Sequence, residues 1–147
     1  MSRLRIAPGQ SFDELLNAAP GALEADNEMR RQIQKGISDR WYALIGVAVA
    51  GLLGCERFVE HLRGPLESAF ASEVARDWSK VSLNDAERAI LSYAEKGTID
   101  EESVRRRDVD ALRQAGLGDK DILLVATAIA YHNYSIRIAA SFDVIPR

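Results

Sequence analysis

Apolar residues recur at helical spacing along most of the chain, and no segment has the strict alternation that is typical of a β-strand. The longest regular pattern follows Gly118, and its members are Ile122, Val125, Ile129, His132 and Ile136. Residues 41–55 form an uncharged run of 15 residues, which predicts a helix buried on all sides. That run is shorter than the roughly 18 to 20 residues needed to cross a bilayer, so we expect no membrane partner.

Cap and turn residues divide these patterns into about six to eight helices. Ser11 is predicted to cap a short first helix, Gly36 to close the second, and Ser38 to cap the apolar helix that follows. Cys55 is expected to begin the next helix after a glycine-rich turn. Because no strand, repeat or linker is evident, residues 1–147 are predicted to form a single all-α domain, a helical bundle.

The middle of the chain carries equally definite boundary signals. Pro65 is suited to the first turn of a helix that runs to about Trp78. Ser82, followed three residues later by Asp85, predicts the cap of another helix, which Gly97 is expected to end. A short helix and then the long regular helix complete the predicted bundle.

Composition and charge exclude several classes of protein. A hydrophobic content of 47% and a charged content of 28% are ordinary for a globular domain. The net charge of -3 gives no electrostatic reason to bind nucleic acid, and acids flank the basic cluster at residues 105–107. The last two helices could suggest a helix-turn-helix, but residues 123–130 offer almost nothing that could contact a base edge. We therefore expect no nucleic-acid partner.

The cysteine and histidine counts limit the possible chemistry. Cys55 is the only cysteine, so an intramolecular disulfide is impossible. The stretch Met1 to Pro8 has no apolar core of signal-peptide length, and a cytoplasmic location is expected. The histidines, His61 and His132, occupy unrelated positions without the spacing of a ligand set, so neither a metal site nor a cofactor is predicted.

Several segments together resemble a known family. They are residues 91–96, 104–108, 110–117 and 130–139, and their most specific parts are the turn at 115–123 and the helical pattern of Tyr131, Asn133 and Arg137. In order and spacing they resemble the alkylhydroperoxidase D-like, peroxidase-related proteins of the carboxymuconolactone decarboxylase-like superfamily, over roughly residues 35–145. The resemblance implies an all-helical fold that assembles into dimers, trimers or hexamers, with active sites near the subunit contacts.

The resemblance also assigns positions to the family's redox site. Its redox members carry a Cys-x-x-Cys motif at a helix start, with a glutamate and a histidine that relay protons. Here the first cysteine falls on Cys55, the second on Phe58, the histidine on Leu62 and the glutamate on Ala43. Because phenylalanine cannot form a disulfide, two-cysteine peroxidase chemistry is not expected. A peroxidase-related redox protein with at most a single-thiol activity at Cys55 is one predicted function, and peroxide would be its substrate.

Two other functions remain open. The superfamily's decarboxylase branch suggests a cofactor-free decarboxylase, lyase or isomerase, or a binding protein, for a small apolar or carboxylated molecule. Its pocket residues would be Ala43, Phe58, Leu62 and Asn133, and its acid or base would be His61, His132 or Glu60. The third possibility is a non-catalytic oligomeric homologue. For the catalytic candidates, the alternative to each role is structural: Cys55 and His132 as core residues, and His61 at the surface or in an interface.

Overall fold

The computed structural model describes residues 10–147, so the interpretation of Met1 to Pro8 lies outside the described residues. Within this range the chain forms eight α-helices and three short 3-10 helices, with no strand. The α-helices are α1 Phe12–Leu16, α2 Ala22–Gly36, α3 Asp39–Leu52, α4 Val59–Leu62, α5 Ser68–Asp77, α6 Asp85–Ile99, α7 Arg106–Gln114 and α8 Asp119–Phe142. The predicted all-α fold is confirmed.

Helix α3 forms the centre of the bundle. Its residues 43–50 are all buried, and it packs against α5, α6 and α8. Two glycines allow this close packing, since Gly51 lies against the backbone of Ala75 in α5 and Gly46 lies against the ring of His132 in α8. The uncharged run therefore forms the buried helix that its composition predicts.

Helix α8 carries the longest regular stripe, and all five predicted members of that stripe are buried. By length and composition alone α8 could cross a membrane, with a mean hydropathy of 1.2 over the tested window. Half of that window is buried inside the protein, and the core helix of a bundle passes the same test. Its opposite face leaves Leu123 and Tyr134 exposed.

The helix predicted to begin at Pro65 begins later. Helix α5 starts at Ser68 and ends at Asp77, and a 3-10 turn follows it. Gly64 has a φ of 48°, in the left-handed region, so the chain reverses there and cannot enter a right-handed helix at once. Leu66 is then buried in the core before the helix forms, which explains the delay.

Both predicted ends of α6 were wrong. Its cap is Asn84 rather than Ser82: the Asn84 side chain accepts a hydrogen bond from the backbone N–H of Glu87, whose carboxylate accepts one from the backbone N–H of Asn84. The helix continues through Gly97 to Ile99. Contacts of α6 with α7 and α8 outweigh the low helix propensity of one glycine.

Candidate functional site

His132 lies where α8 crosses α3. It is 1% exposed, and its Nε2 atom is 3.1 Å from the carbonyl oxygen of Tyr42. Because a carbonyl can only accept a hydrogen bond, Nε2 carries the proton and donates it, which leaves Nδ1 as an acceptor without a partner among the described residues. Burial lowers the pKa of His132 to about 4, so the imidazole is neutral at pH 7. In this arrangement His132 holds α8 against α3 and is closed off from solvent.

A cleft lies on the other side of Tyr42, and we call it the His61 cleft. It has a volume of about 560 Å³ and is formed by the end of α2, α3, α4 and the turn after α4. Its lining residues are Gln34, Asp39, Tyr42, Ala43, His61, Leu62, Gly64, Pro65 and Arg147. A volume of this size suits a small organic molecule.

The polar groups of the His61 cleft differ in their exposure to solvent and in their hydrogen-bond or ion-pair partners. His61 is exposed to solvent. The Tyr42 hydroxyl is buried without a hydrogen-bond partner among the described residues, and burial raises the pKa of Tyr42 to about 12. Arg147 is paired with Asp13 at 3.1 Å and with Asp26 at 3.3 Å, so its charge is already compensated. The cleft therefore has one exposed imidazole and, in its wall, one buried neutral hydroxyl.

Cys55 lies outside this cleft. It precedes a 3-10 turn, Glu56–Phe58, that leads into α4, so the expected helix start at Cys55 takes the form of a short turn. The thiol is 8% exposed, and Sγ donates a long hydrogen bond of 3.7 Å to the carbonyl oxygen of Leu53. Phe58 is buried in the core, with the Arg57 guanidinium 4.5 Å from the centre of its ring. Neither Cys55 nor Phe58 is among the residues that line the cleft.

The remaining candidate, Asn133, lies in a different groove. Its Nδ2 atom donates to Thr98 Oγ1 and to the carbonyl oxygen of Ile129, each at 3.0 Å. The structure thus brings Ala43, His61 and Leu62 together in one cleft. His132 lies behind Tyr42, whereas the thiol and Asn133 lie elsewhere. Within residues 10–147 no group of three His, Cys, Asp or Glu side chains could hold a metal ion.

Sequence reasoning missed a buried polar cluster, formed by Asp26 with Tyr131 and Arg147. Tyr131 donates its hydroxyl hydrogen to Asp26 Oδ2 at 3.2 Å, and Arg147 Nη1 donates to the same oxygen at 3.3 Å. Burial raises the pKa of Tyr131 well above its ordinary value. The one signal in the sequence was Tyr131 itself, next to His132 on α8. Its partners lie more than a hundred residues away in sequence or near the end of the chain, so no local pattern connects them.

No protein-family model matches the sequence, and no curated protein matches it. Solved structures match its fold. The alkylhydroperoxidase AhpD core protein of Ralstonia eutropha, an uncharacterized peroxidase-related protein, is 23% identical, with a TM-score of 0.74 over 90% of this chain and 74% of that one. A protein of unknown function from Agrobacterium tumefaciens is 21% identical, with a TM-score of 0.74 over 94% of this chain and 99% of that one. The debrominase Bmp8, in complex with 2,3,4-tribromopyrrole, is 17% identical, with a TM-score of 0.70 over 92% of this chain and 75% of that one.

These similarities define the class of fold. The chain is an all-helical bundle that shares its fold with these solved structures. More narrowly, it has the alkylhydroperoxidase D-like fold of the peroxidase-related proteins, as the sequence resemblance implied.

Proposed function

We propose that the protein acts on a small carbonyl or carboxylated compound by proton transfer in the His61 cleft. One observation carries this proposal. Ala43 and Leu62, where the resemblance places the proton-relay residues of the peroxidases, line the same cleft as His61. Neither side chain can carry a proton, whereas the adjacent imidazole can. The geometry supports acid–base chemistry at the relay position of this fold.

Two residues of the cleft would carry out such a reaction. His61 would accept a proton from the carbon next to the carbonyl group. Tyr42 stays protonated at neutral pH because burial raises its pKa to about 12, and its hydroxyl has no other partner among the described residues. The hydroxyl is buried in this structure, so the side chain would first have to turn toward the cleft. It would then donate a hydrogen bond to the oxygen on which negative charge develops. This arrangement suits a decarboxylation or an isomerisation. Bmp8 shows that the same fold accommodates a compact ring.

Proton exchange in heavy water tests the proposal even though the natural substrate is unidentified. We expect the wild-type protein to accelerate exchange next to the carbonyl group of at least one member of a panel of small oxo-carboxylic acids, followed by NMR. His61→Gln should slow that exchange by about 100-fold or more, because glutamine cannot titrate. Tyr42→Phe should slow it by about 10-fold to 100-fold through loss of the hydroxyl donor. The proposal fails if His61→Gln matches the wild type on every compound.

A single-thiol redox activity at Cys55 is the second candidate. It is favoured by the position of a free cysteine immediately before a helical turn. Cys55 is nearly buried, which limits the access of peroxide to its sulfur atom, and Sγ contacts the carbonyl oxygen of Leu53.

We therefore expect Cys55→Ser to consume hydrogen peroxide, in the presence of dithiothreitol, at the same rate as the wild type. The physical reason is that peroxide has little access to a nearly buried thiol. A matched assay of proton exchange should also show no difference between the two proteins. Peroxide consumption that disappears in Cys55→Ser would instead establish the redox function.

A further inference from the structure

Besides His61, two charged side chains line the His61 cleft, those of Asp39 and Arg147. Asp39 is the first residue of α3, is exposed to solvent and makes no ion pair within residues 10–147. Its neighbour Arg40 pairs instead with Glu87 at 2.6 Å. Arg63, in the turn beside the cleft, pairs with a glutamate of α4 at 2.7 Å. The Asp39 carboxylate is therefore a negative charge that the neighbouring arginines do not balance.

Arg147 contacts its two carboxylate partners through one nitrogen atom. Nη1 lies 3.1 Å from Asp13 Oδ1 and 3.3 Å from Asp26 Oδ2. Nε and Nη2 make no hydrogen bond within residues 10–147, and neither is one of the buried polar atoms that lack a partner, so both keep contact with solvent. A guanidinium group has N–H donors on all three of its nitrogens. The donors of Nε and Nη2 therefore remain available to a ligand.

The charges around the cleft indicate which kind of ligand these donors suit. The carboxylates are those of Asp13, Asp26 and Asp39. The guanidinium groups are those of Arg147 and of Arg30, whose charge reaches the tyrosine in the cleft wall. Negative charge is therefore in excess, and a carboxylate on the ligand would increase that excess, which is unfavourable. A neutral carbonyl oxygen can accept a hydrogen bond from Nε or Nη2 without this repulsion.

We propose that the His61 cleft takes a neutral carbonyl compound, a ketone or an ester, whose carbonyl oxygen binds the free N–H groups of Arg147, and that Asp39 disfavours carboxylates. This inference rests on the proton transfer proposed above and narrows its substrate class. The reaction is then an isomerisation, because a decarboxylation needs a carboxylate on the substrate. His61 takes a proton from the carbon next to the carbonyl group, the electron pair moves onto the oxygen held by Arg147, and the proton returns to carbon. No oxidant or other co-reactant is needed.

A matched pair of compounds tests this substrate preference. 4-Oxopentanoate and its methyl ester have the same ketone and the same exchangeable carbon atoms, and they differ in the charge at the far end. In ligand-observed NMR titrations at pH 7, we expect the wild-type protein to bind the ester about tenfold more tightly than the acid, or more. Equal affinities, tighter binding of the acid, or no binding of either compound would overturn the proposal.

Variants separate the effect of charge from the greater apolar character of the ester. Asp39→Asn should reduce the preference for the ester about threefold or more, by tighter binding of the acid. Asp85→Asn is the matched control, because Asp85 is also the exposed first residue of a helix but lies outside the cleft, and it should keep the wild-type preference. An unchanged preference in Asp39→Asn would overturn the role of its charge.

Arg147→Lys tests the hydrogen bonds to the carbonyl oxygen. The lysine keeps a positive charge beside Asp13 and Asp26 but lacks the donors of Nε and Nη2, so it should weaken binding of the ester about fivefold or more. Ester binding equal to that of the wild type would overturn the assignment of Arg147. Because Asp39 is exposed, Asp39→Asn decides the charge preference even if Arg147→Lys does not fold.

Proton exchange in heavy water, measured on the same two compounds, distinguishes failure of this inference from failure of the proposed reaction. We expect the wild-type protein to exchange the ester faster than the acid, with both rates dependent on His61. Exchange that depends on His61 but is equally fast for the two compounds, together with equal affinities, would overturn the inference and leave the reaction in place. Tighter binding of the ester that depends on Arg147, without exchange of any compound, would support the binding preference and overturn the reaction.

Discussion

Gly51→Ala is expected to destabilise the protein more than a substitution of this size ordinarily does. A Cβ atom on residue 51 would lie 1.9 Å from the carbonyl oxygen of Ala75 and 2.8 Å from its Cα atom. These are backbone atoms of α5, so no side-chain rotation can relieve the clash. The two helices would have to separate along a contact that organises the core. We expect the free energy of unfolding in urea to fall by about 3 kcal/mol or more.

Gly97→Ala is the matched control, because Gly97 also lies within a helix. Its nearest neighbour is Ile129 Cγ2, which would be 3.8 Å from the added Cβ, an ordinary contact. Replacing this glycine should therefore stabilise the protein by about 0.5 to 1 kcal/mol through reduced entropy of the unfolded chain. Destabilisation of similar size in both variants would show that the close contact between α3 and α5 does not cause the loss of stability in Gly51→Ala.

Acidification should destabilise the protein because of His132. Its pKa is about 4 in the folded protein, against an ordinary value of 6.5. Between these values the unfolded chain binds a proton that the folded chain does not, so acid favours unfolding. The contribution of His132 is complete above about pH 6.5 and is lost as the pH falls to about 4. The corresponding loss is about 3 kcal/mol, measured as the free energy of unfolding at a series of pH values.

His132→Gln isolates this effect, since a glutamine amide can donate to the Tyr42 carbonyl but does not titrate. The variant should show a much smaller change between pH 6.5 and 4. At lower pH the free energy of unfolding should still fall, because carboxyls become protonated there. Asp108 is one of them, and its pKa is lowered by the Arg105 backbone N–H and by Lys96. A pH dependence equal to that of the wild type would assign the titration to other groups.

Much of the fold was predictable because its determinants are local. Ser11 and Ser38 cap helices as their sequence contexts indicate, and the α8 stripe is buried as its spacing predicts. The errors arose where tertiary contacts decide. Gly97 does not end α6 because neighbouring helices stabilise the last turn, and the helix expected from Pro65 is delayed by the burial of Leu66.

The candidate site was less predictable than the fold. Ala43 and Leu62 could be assigned through the resemblance, and the structure places both beside His61. The free hydroxyl of Tyr42 depends on what surrounds it in three dimensions, and sequence spacing carries no information about that. The Asp26 cluster joins side chains that are separated by 105 and 121 positions in sequence. Such contacts depend on how α2, α8 and the residues after α8 meet.

The central position of α3 has a consequence for the order in which the chain folds. All the helices that pack most extensively on α3, namely α5, α6 and α8, follow it in sequence. During synthesis from the N-terminus, this most apolar segment therefore emerges before the helices that cover it. Its surface is only partly covered until α8 follows α5 and α6, and a partly covered apolar helix promotes aggregation. The order of the helices thus leaves an apolar surface exposed during translation that the finished bundle buries at residues 43–50 of α3.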